Sequence, residues 1–132
     1  MNGIKENIPQ LLLLLFVVIT FLQSGLDKVF DWRGNLSWLK EHFSKSIFRN
    51  TVPLLLFVIT CMELTAGIAS LVGGIQLVIS GDYIIAQTGA VIAALSLLML
   101  LLGQRVAKDY EGAKTIVIYF IPTVILILLL QY

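Results

Sequence analysis

Long apolar runs separated by short polar stretches dominate this chain. Leu11 to Ile19 carries no polar residue, and Pro9 precedes it where a first helical turn tolerates proline, with Asn7 in the capping position. A bilayer core of about 30 Å needs roughly 20 such residues in a helix. Four stretches meet that length, at about 8–29, 52–79, 83–104 and 115–132. The second is interrupted only by Thr60, Glu63, Thr65, Ser70 and Gln76, and its length predicts tilt or an end that protrudes. The turn Ser80-Gly81-Asp82 joins it to the third. The first run exceeds the about 7–15 residues of a signal-peptide core, and no small-x-small cleavage site follows it, so it is expected to be an anchor.

A different period governs 31–50. Trp32, Leu36, Leu39, Phe43 and Ile47 recur at helical spacing, while Arg33, Lys40, Glu41, Ser44 and Lys45 fill the other faces and Trp38 flanks the stripe. This pattern predicts an amphipathic helix, either lying in the membrane interface with its basic residues toward anionic headgroups or packed under the bundle as a cytoplasmic loop. The expected architecture is an all-α membrane protein, a four-transmembrane-helix bundle with that interfacial helix between spans one and two. Neither internal repeats nor low-complexity linkers occur, so residues 1–132 are expected to form a single membrane domain.

Composition agrees: 58% of the 132 residues are hydrophobic and 13% charged, against roughly 25% charged in a soluble domain. A formal charge of +1 leaves no basic surface for nucleic acid. Its distribution is more informative than its sum. Of the nine basic residues, seven fall between spans one and two or between spans three and four, Lys28 stands at the adjoining end of span one, and only Lys5 lies elsewhere. Basic loops stay cytoplasmic, which predicts a multi-pass protein of the bacterial inner membrane with both termini on the non-cytoplasmic side. One cysteine, Cys61, and one histidine, His42, exclude an intrachain disulfide, a CxxC pair, a bis-histidine haem and a zinc site made only of His and Cys. No metal site and no resident cofactor are expected.

The polar residues inside the spans carry the candidate chemistry. Glu63 lies about twelve residues into the second span, ~18 Å deep at 1.5 Å per residue, where an uncompensated charge costs roughly 2.5–3.5 kcal/mol. Desolvation disfavours a bare carboxylate, so Glu63 is expected to be neutral or hydrogen-bonded. Thr60, Glu63, Gly67, Ser70 and Gly74 share one stripe, and Ala86, Gly89, Ala93, Ser96 and Gly103 form another on the third span. Small residues on such stripes let helices approach closely in lipid, so Gly67, Gly74, Gly89 and Ala93 are expected to pack an antiparallel hairpin. Gln23, Glu63, Ser96, Tyr119 and Thr123 fall at comparable depth, the last two flanking Pro122, which is expected to kink the fourth span and free a carbonyl. That cluster would bind a quinone headgroup, relay a proton, or satisfy its own hydrogen bonds. Asp27 and Lys28 are expected at the boundary as an ion pair, Lys28 snorkelling to the headgroups.

Phe21, Gly25 and Lys28 form a Phe-x-x-x-Gly-x-x-Lys pattern at the end of the first span, and the second span carries Glu63-Leu64-Thr65-Ala66-Gly67 and then Leu71-Val72-Gly73-Gly74. With four spans in about 130 residues, this resembles the DoxX-like family of small membrane proteins. The family often has an arginine early in the first span, and this chain has none between Lys5 and Lys28. The resemblance implies a part in a larger membrane system. Members similar to this family include small subunits of thiosulfate:quinone oxidoreductase and proteins of thiol or oxidative-stress systems, and distant relatives act as cargo receptors or assembly helpers. The leading expectation is a non-catalytic accessory subunit of an inner-membrane assembly, contacting lipid and a membrane-protein partner. The alternative is a quinone-linked redox subunit working with a cofactor-bearing partner, and a small oligomeric transporter is third.

Overall fold

The computed structural model describes residues 5–131. Its helices are α1 (Ile8–Phe30), α2 (Trp32–His42), α3 (Val52–Ser80), α4 (Ile84–Val106) and α5 (Tyr110–Gln131). Among the described residues there is no strand. Four of the helices, α1, α3, α4 and α5, are long and apolar enough to cross a membrane. The protein is an all-α, multi-pass membrane protein. Tyr132, with which the expected fourth span ends, lies outside the described residues.

Local chemistry sets the helix ends. Pro9 and Pro53 sit in the first turns of α1 and α3, where their missing N–H groups break no helical bond. Asn7 occupies the cap position of α1 without making a side-chain cap bond. Gly81 ends α3 with φ 76°, a left-handed conformation that glycine adopts freely, and Asp82 Oδ1 accepts the N–H of Ile84 at 3.0 Å to start α4. α5 begins at Tyr110, five residues before the expected Thr115. The cause is Asp109, whose Oδ1 accepts the N–H of Gly112 at 2.9 Å as an N-cap. α5 then runs unbroken through Pro122, which cannot donate a bond to the carbonyl of Ile118.

α3 packs on α1 and on α4, α4 packs on α5, and α5 closes back on α1, so each span is antiparallel to its chain neighbour. Close approach at glycines locks the pairs. A Cβ on Gly25 would collide with the Leu64 side chain, and one on Gly67 with Leu22, which fixes the crossing of α1 over α3. A Cβ on Gly89 would collide with Ser70, and one on Gly73 with the backbone of Ala86, which fixes α3 against α4. Ala93 is fully buried within the central cluster, beside Ala90 and Leu97 of its own helix. Gly74 does not join this packing; its nearest neighbour would be Leu14 Cδ1 at 3.8 Å. The buried face of α3 runs through Glu63, Ala66, Ser70, Gly73 and Leu77. It therefore passes through Gly73 in place of the adjacent Gly74. The outer faces carry exposed Leu12, Leu15, Ile19, Leu54, Phe57, Ile118 and Ile125, the apolar surface that lipid covers.

The segment after α1 folds back at once. α2 meets α1 and the start of α3, with Trp32, Leu36 and Leu39 half-buried and Arg33, Lys40 and Glu41 exposed. The helix stops at His42, earlier than the stripe predicts. Phe43 still packs beneath the bundle, but Ile47 lies in the following turns and is 82% exposed.

Candidate functional site

Glu63 is 2% exposed on α3, and its partner comes from the last turn of α1. Lys28 Nζ lies 2.9 Å from Glu63 Oε1 and donates to Ser24 Oγ at 2.7 Å. Ser24 and Lys28 are four residues apart and so share a helix face. The interlocked Gly25–Leu64 and Leu22–Gly67 contacts bring that face against α3. The ammonium also sits at a helix C-terminus, where the macrodipole favours positive charge. The expected boundary pair of Asp27 and Lys28 does not form. Asp27 is exposed, one residue and about 100° around the helix from Lys28, and Lys28 reaches inward to Glu63.

The other expected cluster members do not converge on Glu63. Gln23 is exposed, because Ser24 and Lys28 occupy the face toward α3 and Gln23 is rotated away from it. Ser96 is fully buried and donates to Ile92 O at 2.9 Å, and Thr123 does the same to Tyr119 O at 2.9 Å, so each hydroxyl is satisfied by its own helix. Tyr119 packs its ring on Phe16, with centroids 6.1 Å apart. Of the five residues, only Glu63 forms an ion pair.

A cavity of about 180 Å³ opens beside this pair. Lys28 contributes to its wall, Trp38 and His42 come from α2, Phe43 from the turn that follows, Leu56 and Ile59 from α3, and Gln104 from α4. The wall is mainly apolar. The cavity lies where α2 and the turn after it meet the first turns of α3 and the last turns of α4.

Side chains with little signature in the sequence fasten α2. In the tautomer protonated on Nε2, His42 donates to Gln104 Oε1 at 3.0 Å, and the same nitrogen lies 3.6 Å from Asp109 Oδ2. Trp38 stacks on the His42 ring with centroids 4.5 Å apart. Asp109 thus caps α5 and meets α2, joining two elements distant in the chain. The only sequence signals were a lone histidine on an amphipathic stretch and an Asp three residues before a glycine. Gln104 gave none.

No family model, curated protein or solved structure matches the chain. The site is therefore read from its own chemistry. Among the described residues, no three His, Cys, Asp or Glu side chains gather to hold a metal ion. Hydrogen-bond donors at Lys28 and Gln104 line an otherwise apolar wall, while the Nε2–H of His42 is already given to Gln104 Oε1. Such a site suits an amphipathic molecule with an apolar body and a few acceptor atoms.

Proposed function

We propose that this protein is a small quinone-binding subunit of a bacterial inner-membrane assembly, with the interfacial cavity taking the quinone ring. The observation that carries the reading is the cavity, placed between lipid-facing helices and supplied with a lysine and a glutamine as donors for carbonyl oxygens. An apolar cavity of roughly 150 Å³ accommodates benzene, so about 180 Å³ suits one six-membered ring whose prenyl tail lies in the bilayer. One cysteine and one histidine provide no electron carrier, so the electrons come from a partner's cofactor. The DoxX-like resemblance is compatible with this role, since that family includes subunits of a quinone oxidoreductase, and equally with an accessory one. The basic loops beside the cavity orient it toward the cytoplasm, with both chain ends on the opposite side.

A non-catalytic accessory role is the second reading. It draws on the outer helices, since the α1 and α5 spans are each 22% buried against 39% for α3 and α4. That leaves two broad apolar faces for a partner's helices. Native purification in mild detergent, with partner identification and quinone analysis of an organic extract, separates the readings. Stoichiometric quinone that is lost in Lys28→Met supports the quinone site. A stable partner complex without quinone supports the accessory role and removes the quinone reading.

A further inference from the structure

The charges at the cavity are arranged in an ordered way. Lys28 and His42 are the side chains of its wall that carry positive charge when protonated, and each faces a carboxylate that is not part of the wall. Glu63 Oε1 stands 2.9 Å from Lys28 Nζ, and Asp109 Oδ2 stands 3.6 Å from His42 Nε2. At Lys28 the wall therefore presents an ammonium whose charge is already matched by a carboxylate outside the wall. A ligand that brings a negative charge gains little net attraction from Lys28 and meets Glu63 at close range in a medium of low dielectric. A neutral carbonyl accepts from the Lys28 ammonium without that repulsion.

We infer that Glu63 sets the specificity of the cavity, acting through Lys28 to select neutral carbonyl-bearing amphiphiles and reject anionic ones of the same size. Glu63 is a positioning residue, since it is 2% exposed and lies behind the wall. The inference rests on the cavity being a ligand site, and it adds the charge rule for what enters. It also explains why a carboxylate occupies the middle of a span. A neutral hydrogen-bonding residue would hold the lysine less firmly and would leave the wall positive, open to the fatty acids and lipid anions that abound in a bilayer.

The test uses the full chain in detergent with Trp32→Phe, leaving Trp38 as the tryptophan at the cavity. Quenching of Trp38 by decylubiquinone reports the neutral ligand, and dodecanoate is added as an anionic competitor of similar tail length. In the otherwise unchanged protein, decylubiquinone quenches and dodecanoate competes poorly. In Glu63→Gln, dodecanoate competition strengthens by about tenfold or more, as removal of a like charge at close range predicts. In Lys28→Met/Glu63→Gln that gain disappears and decylubiquinone binding weakens. The double variant leaves no buried unpaired charge and so tests the idea even if the single variant fails to fold. Equal competition by dodecanoate before and after the Glu63 change overturns the inference while leaving the cavity reading in place. Unaltered decylubiquinone binding in the double variant does the same. Failure of both ligands to bind the unchanged protein overturns the inference and the quinone reading together.

Discussion

The buried ion pair shows how one residue's position depends on its neighbours. Glu63 and Lys28 meet only because glycines at 25 and 67 let α1 and α3 approach within side-chain reach. Once they are paired, the loss of either partner strands a charge, and such losses cost about 3–5 kcal/mol in buried pairs of soluble proteins. Adjacent glycines on α3 offer a cleaner comparison, because they differ in rotation by only about 100°. A Cβ at 73 overlaps the backbone of Ala86, which cannot yield, whereas at 74 its nearest neighbour is Leu14 Cδ1 at 3.8 Å. Gly73→Ala is therefore expected to destabilise the bundle by about 1–3 kcal/mol. Gly74→Ala is expected to be neutral or to stabilise by up to about 1 kcal/mol through helix propensity. Unfolding of both variants in mixed micelles checks this, and equal effects would show that the α3–α4 contact is not centred on Gly73.

At the scale of elements, α2 is held by a few side chains at its C-terminal end. His42 ties it to Gln104 and Asp109, while Leu39 and Phe43 give it apolar footing. His42→Leu removes the polar link and keeps the bulk. Hydrogen exchange over 32–43 is expected to rise several-fold, with exchange in α4 and α5 unchanged. Asp109→Ala should raise it too and also loosen the first turn of α5, since a lost N-cap costs about 1 kcal/mol. Slow exchange of α2 in both variants would mean that apolar packing alone retains it. This element also marks where sequence reading stops. The spans were legible because length and apolarity alone select a membrane helix, and the amphipathic stripe was legible through Phe43. The start of α5 was obscured because Tyr110 to Lys114 is too polar for a span, although a capped helix continues readily outside the bilayer. Glu63 stood out as costly, but its partner did not, because pairing across helices depends on their relative rotation. The cavity was not legible at all, since four helices and a turn build it jointly and none of them encodes it alone.

For the whole molecule, the decisive question is which leaflet the cavity faces. An even number of crossings puts both ends of the described chain together, and Gln10 Nε2 reaching Leu129 O at 3.4 Å shows the first and last spans meeting there. The opposite end carries α2, the ion pair and the cavity, together with the basic loops. Cys61 is exposed along α3, so a Cys61→Ser background removes the native thiol before single cysteines are placed. Ser44 lies in the turns after α2 and Ser80 at the end of α3, and both are exposed. In intact cells an impermeant maleimide is expected to label Ser80→Cys, and to label Ser44→Cys only after permeabilisation. The reverse pattern would invert the proposed orientation and move the cavity to the outer leaflet. On the proposed quinone reading, confirmed orientation would place the electron donor on the cytoplasmic side, near α2 and the α4–α5 turn.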